Sequence, residues 1–481
     1  MKKIYVLLTV LLVSAFAFQS CEDMDDNDVP VYDFIWKGMN LYYLWKDEVP
    51  ELSDDRFANQ EELNNYLELF SSPENLFHSL LYQPGVVDRF SVIFSDFTVL
   101  ENALQGVVKS NGVEFGLKYV PGSEINVFGY VRYILPGSDA ANKNIQRGDL
   151  FYAINGTPLT VNNYQGLLGS DSYTLNLATY NGGAITPTGE EVSLTKSQYA
   201  ENPVYDVEVF TEGSHTIGYF MYNGFFSNYD QELNAAFAEL DAANVNELVL
   251  DLRYNSGGSV RTATYLASMI TGQFDNQVFS KQQWNAQLQA YYEANDPEAL
   301  IENFTSQLSN GAAINHLNLS RVYILTSPST ASASELVING LRPYIDVVVV
   351  GDTTTGKNVG SVTLYDSPDF SRNNREGSHR YAMQPLVLKI VNAEGFGDYT
   401  SGLVPDILLP EDMGNLGIIG NQNEPLLAAA INNITGMGRR ATMPEKTYKT
   451  FRDSKNMQRF GTEMYLDETP AGAINIMKNL Q

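Results

Sequence analysis

Cysteine is almost missing from this chain: Cys21 is the single one in 481 residues. That count excludes an intramolecular disulfide, a zinc or iron–sulfur centre built on several thiolates, and a CxxC redox pair. Histidine is nearly as scarce. His78, His215, His316 and His379 are scattered without HExxH spacing, so a metal hydrolase and a Ser-His-Asp enzyme are both hard to build. Basic residues are outnumbered, 30 Lys plus Arg against 57 Asp plus Glu, for a net charge of −27. Such a field repels phosphate backbones and argues against a nucleic-acid partner. Nothing in the composition calls for a metal or an organic cofactor. What the chain does have is apolar material: 44% hydrophobic residues, with 24 Phe and 29 Tyr. That is ample for packed cores, and a prior of ~150 residues per domain gives about three of them.

The one long apolar run lies at the start. Lys2 and Lys3 precede Ile4 to Phe18, and small or polar residues follow up to Cys21. The run is too short for a membrane span and predicts a secretory signal peptide over 1–20. Phe18-Gln19-Ser20-Cys21 resembles the looser lipobox of Bacteroidetes-type bacteria, which implies lipidation at Cys21. The charged stretch 21–31, with Glu22, Asp23, Asp25, Asp26 and Asp28, reads as a solvated tether. In that bacterial group an acidic stretch after the lipid cysteine resembles a surface-export signal. The expectation is a lipid-anchored protein of the cell envelope at the outer membrane, periplasmic or surface-exposed.

Three textures follow, and together they predict a multidomain α+β chain. From 32 to 104 the pattern is helical and aromatic, with Phe34, Trp36, Met39, Leu41, Tyr42 and Trp45 as candidate core. From 105 to 200 short β-branched and aromatic runs are broken by Gly and Asn, predicting a compact β-rich module. Within it Pro136-Gly-Ser-Asp-Ala-Ala141, Ile145-Gln-Arg-Gly-Asp-Leu150 and Ala153-Ile-Asn-Gly-Thr157 resemble the PDZ domain. Phe115-Gly116-Leu117 resembles that domain's carboxylate-binding loop, though an ordinary strand with a Gly bulge reads the same way. From 203 to 435 strands and helices alternate, predicting an α/β-layered domain. The stretch 273–318 breaks this rhythm and is expected to be an insertion over one face. Residues 436–481 read as a basic tail.

Candidate chemistry sits in three turns at strand ends of the α/β region: Asp251-Leu-Arg-Tyr-Asn-Ser-Gly-Gly258, Ser329-Thr-Ala-Ser-Ala-Ser-Glu335 and Gly351-Asp-Thr-Thr-Thr-Gly-Lys357. Ser332 opens a helix, where free N–H groups and the positive dipole end favour a developing oxyanion. With no histidine to spare, Lys357 is the available base, provided burial destabilises its ammonium. Each signal has a plainer reading: Ser332-Ala-Ser-Glu335 is also a helix capping box, Lys357 a loop lysine, Gly257-Gly258 a tight turn. Gly351 to Lys357 approaches a P-loop, but Asn358 stands where Ser or Thr is needed and a strand-like run follows instead of a helix. Ser193-Leu-Thr-Lys196 mimics S-x-x-K in the β-rich module, without its partner motifs.

In combination the three turns resemble peptidase family S41, the C-terminal processing proteases. Asp251 to Gly258 is similar to the family's D-L-R-x-N-x-G-G, Ser332 to Glu335 to its S-A-S-E turn, Gly356-Lys357 to its G-K, and Gly402-Leu-Val-Pro-Asp406 to its closing segment. The resemblance implies a serine endopeptidase acting on unfolded or C-terminally exposed polypeptides, with Ser332 as nucleophile and Lys357 as base. It also implies an oxyanion hole from the N–H groups of Gly258 and Ala333. Ser361 stands where the family usually has a base-orienting Gln, so Ser361 is expected to position Lys357. The competing expectation is a non-catalytic lipoprotein that captures peptides on its PDZ-like module.

Overall fold

A computed structural model describes residues 29–181, 184–437, 448–458, 460–470 and 472–479. The expected signal peptide, tether and Cys21 lie outside the described residues. Among those residues no helix is long and apolar enough to cross a membrane.

The α/β region is built on a mainly parallel sheet. Its strands are β6 (Val204–Glu212), β7 (His215–Tyr222), β8 (Glu247–Asp251), β12 (Arg321–Thr326), β13 (Asp346–Gly351) and β16 (Ile407–Leu408), neighbours in that order, with only β6 antiparallel. Alternation along β12 explains the layering: Val322 and Ile324 join the core that includes helices α5 (Asp230–Ala242), α6 (Val260–Thr271) and α7 (Ala333–Leu341). Tyr323 and Leu325 join the opposite core with α8 (Pro425–Ile434). A strand covered on both faces is apolar at every position, as Val347 to Val350 are in β13. Sequence patterning places β7, β8, β12, β13 and the four helices, but not the edge strands β6 and β16.

A second sheet runs in the order β9 (Gly258–Ser259), β18 (Met464–Leu466), β14 (Val359–Val362), β15 (Leu386–Asn392), β10 (Val278–Trp284) and β11 (Ile301–Asn303). Two expectations change here. The stretch 273–318 is not a cover: it supplies β10 and β11, and Asn285 donates to the carbonyls of Leu41 and Tyr43. The tail is not an appendage, because its strand β18 lies inside this sheet, parallel to both neighbours.

The N-terminal helices α1 (Pro30–Tyr42), α2 (Gln60–Leu67) and α3 (Pro73–Ser79) form as expected, but not around a core of their own. Phe34, Ile35, Met39 and Leu76 belong to the same continuous core as Phe237, Leu266 and Leu336. The β-rich module has the strand order β17 (Thr450–Asp453), β1 (Val113–Tyr119), β2 (Val127–Ile134), β3 (Leu150–Ile154), β4 (Ser172–Asn181) and β5 (Ala184–Thr195). Helix α4 (Tyr164–Gly169) packs on it through Tyr164 and Leu168. Phe115, Gly116 and Leu117 are mid-strand in β1, with a register shift at Glu114/Phe115, so the expected carboxylate loop is a bulged strand. The edge of that strand is filled by β17 of the chain's own tail.

Candidate active site

The three sequence motifs converge at the carboxyl ends of β8, β12 and β13. Beyond β8, Arg253 is fully buried and held by Asp251, 2.9 Å from Nε, and by Glu424, 2.6 Å from Nη1. Asn255 shapes the next turn. Its Oδ1 accepts the Gly257 N–H at 2.9 Å, and its carbonyl accepts the Ala331 N–H and the Ser334 hydroxyl. The motif after β8 is thereby tied to the turn after β12. Gly257 and Gly258 have φ of 114° and 141°, which side chains with a Cβ rarely adopt. A Cβ on Gly258 would lie 2.3 Å from the Phe225 carbonyl oxygen.

Ser332 caps α7 with φ 64° and ψ −119°. A non-glycine residue held there costs roughly 1–3 kcal/mol, a strain that persists only where the surroundings over-determine it. The surroundings are Glu335, which is fully buried. One of its oxygens, Oε2, accepts the Ser332 N–H at 2.7 Å and the Lys357 N–H at 2.8 Å. The other, Oε1, accepts the Gly356 N–H at 2.7 Å and the Thr354 hydroxyl. A single carboxylate thus stitches the serine turn to the lysine turn, a role that a capping-box reading of S-x-x-E does not contain. The Ser332 Oγ itself is buried without a hydrogen-bond partner.

The lysine turn is pressed from behind. Gly356 has φ 83°, and a Cβ there would fall 2.4 Å from the Thr400 carbonyl oxygen, in the segment leading to Gly402-Leu-Val-Pro-Asp406. Leu403 N–H donates to Thr354, and Asp406 bonds Val349, so this closing segment pins the loop. Lys357 is fully buried, with Nζ 4.5 Å from the centroid of Phe90. Burial pushes its ammonium below the ordinary lysine value, and the Glu463 carboxylate pulls it back up.

Lys357 Nζ donates to the Thr462 carbonyl at 2.6 Å and to Glu463 Oε2 at 2.8 Å. Both acceptors belong to the tail. Burial raises the Glu463 carboxyl to about 7, against the pull of Lys357. Ser361 does not take the expected positioning role: its Oγ bonds the Met464 carbonyl at 3.3 Å, and the lysine's partners are the two tail residues. Sequence reasoning missed Glu463. Met464, Tyr465 and Leu466 beside it form an apolar run too short to separate from a loop in the sequence. Lys357 is followed by β14 and not by a helix, which removes the P-loop reading. Ser193 bonds Thr174 and Lys196 bonds the Leu168 carbonyl, so that mimic holds no paired serine and lysine. Among the described residues no cluster of His, Cys, Asp and Glu could hold a metal ion.

Comparison with known proteins finds similarity to peptidases. Residues 216–374 match the model of peptidase family S41, and residues 31–92 match the peptidase S41 N-terminal domain. Carboxyl-terminal-processing protease of Picosynechococcus is 24% identical over 309 residues, covering 63% of this chain and 65% of that protein. Chloroplastic carboxyl-terminal-processing peptidase 2 of Arabidopsis thaliana is 28% identical over 270 residues, covering 54% of this chain. The match spans about half of that relative's length, 48%. A crystal structure of a candidate S41 protease from Bacteroides fragilis superposes with TM-score 0.65 at 27% identity, covering 84% of this chain and 98% of that one. The chain is thus similar to family S41 peptidases, its family-model matches falling at residues 31–92 and 216–374.

Proposed function

We propose that the chain is a serine endopeptidase with a Ser332–Lys357 dyad, acting on unfolded or C-terminally exposed polypeptides. The observation that carries this reading is the Glu335 carboxylate, which holds a strained serine and a buried lysine by their backbones at one oxygen atom. In the first step Ser332 Oγ bonds to the substrate carbonyl carbon while its proton passes to the uncharged Lys357 amine. The peptide C–N bond then breaks and the leaving amine takes that proton. Water, deprotonated by the same lysine, hydrolyses the ester and frees Ser332. The N–H groups of Gly258 and Ala333 face the developing oxyanion, and removing one such donor typically costs ~10²–10³ in rate.

Lipidation at Cys21 and an outer-membrane location belong to the same reading, supported by the apolar run and acidic stretch of the sequence. Cleavage of an unfolded protein by the full chain is expected to vanish in both Ser332→Ala and Lys357→Ala. Cleavage that survives either change excludes the dyad. Polypeptide binding without any cleavage favours the non-catalytic peptide-binding lipoprotein.

A further inference from the structure

Two strands of the tail occupy the two places where an extended peptide would pair with this protein. The first is the edge of β1. Strand β17 pairs antiparallel with it, Asp453 opposite Gly116 and Arg452 opposite Leu117. Phe451 enters between Tyr119 of β1 and Tyr164 of α4, its ring centroid 5.3 and 5.0 Å from theirs. The Phe115 N–H donates to Ser454 Oγ, and the Phe115 carbonyl accepts the Ser454 N–H. Backbone pairing along a sheet edge with an aromatic side chain in the adjoining groove is strand-addition peptide recognition.

The second place is the catalytic cleft. Strand β18 pairs in parallel with β9, Met464 opposite Gly258. A parallel pair in this register has two possible bonding patterns, and the Ser259 N–H is already given to the Phe225 carbonyl at 2.8 Å. The remaining pattern directs the Gly258 N–H at the Glu463 carbonyl. That carbonyl lies beside the nucleophile: a Cβ on Gly257 would be 2.4 Å from the Glu463 oxygen and 2.6 Å from the Ser332 Cβ. Meanwhile the Glu463 side chain and the Thr462 carbonyl take up Lys357 Nζ, and the Ser332 hydroxyl is left unpartnered. A lysine donating to a carboxylate and a carbonyl is arranged as an ammonium, not as a base turned to its serine.

We propose that residues 450–453 and 462–466 act as an intramolecular pseudosubstrate: β17 fills the peptide groove of the β-rich module, while Glu463 and β18 fill the cleft and disengage Lys357 from Ser332. This rests on the serine-peptidase reading of Ser332 and Lys357. The two anchors lie on one short segment, so a polypeptide that displaces β17 from β1 loosens the segment that blocks the cleft. Substrate capture and activation are thereby one event. A carboxylate that merely oriented the lysine for catalysis would give the opposite mutational sign, and the test turns on that sign.

The full chain and its Phe451→Ala, Glu463→Ala and double variants are compared for kcat/KM on a permanently unfolded protein. Each single change is expected to raise the value about ten-fold or more, because the blocked fraction no longer withholds the competent state. Activity that is unchanged or lower in folded variants of an active wild type overturns the pseudosubstrate while leaving the peptidase intact. Absence of cleavage in the wild type and every variant instead removes the peptidase reading. A second measurement needs no change in the tail: hydrogen exchange in Ser332→Ala with saturating unfolded polypeptide. Loss of protection over 451–453 and 464–466 is expected, and protection that persists overturns the proposal.

Discussion

At the scale of the residue, Ser332 is held in a conformation that costs stability. Its φ of 64° belongs to the region that favours glycine, yet a serine is held there by the Glu335 carboxylate on its N–H. Its hydroxyl adds no hydrogen bond in return. Ser332→Gly removes the Cβ that makes the conformation unfavourable, so thermal or urea unfolding is expected to show a gain of about 1 kcal/mol, with cleavage lost. A loss of stability in this variant would mean that the serine sits in a relaxed turn and that Glu335 serves only as a helix cap.

At the scale of the element, the sequence was legible wherever one local rule decided the outcome. The apolar runs of β12 and β13, the helix after Ser332 and the strand after Lys357 all follow from hydrophobic pattern and turn residues. The two members of the proposed dyad were named from the same motifs. Elements whose partners are remote in the chain were not legible. Strand β18 is three residues long and owes its existence to β9 and β14, some of whose residues lie two hundred positions earlier. Gly116 read equally as a carboxylate-binding loop or a bulged strand, and its pairing with β17, from the far end of the chain, was not legible. The turn after β8 illustrates the same limit. Asp251-Leu-Arg253 was a family signature in the sequence, and its physical content appears only with Glu424 of the α8 cap. There the buried Arg253 guanidinium lies between Asp251 and Glu424, also buried, and reaches Glu411, which Arg147 holds as well. Arg253→Met leaves Asp251 and Glu424 facing one another without that cation, while Glu411 keeps Arg147. It is expected to cost about 3–5 kcal/mol in urea unfolding, against a near-neutral result if the arginine were a solvated surface group.

At the scale of the whole molecule, the charge state of one amine depends on three remote segments. Lys357 comes from the α/β region, Asp88, Arg89 and Phe90 from the loop after the N-terminal helices, Thr462 and Glu463 from the tail. Burial lowers the lysine, Glu463 and Asp88 raise it, and Arg89 lowers it further. Because the proposed reaction uses the uncharged amine, kcat/KM is expected to rise with pH through the lysine's value, with a midpoint below the ordinary 10.5. Glu463 opposes burial, so Glu463→Ala moves that rising limb to lower pH as well as raising its plateau. Asp88→Asn moves it the same way, and the displacement distinguishes a change in the base from a change in access to the cleft. Lys357→Arg keeps the positive charge but cannot lose its proton in this range, and it is expected to be inactive at every pH from about 6 to 10. An active arginine variant, or a limb that stays in place when Glu463 is removed, would show that another group takes the serine proton.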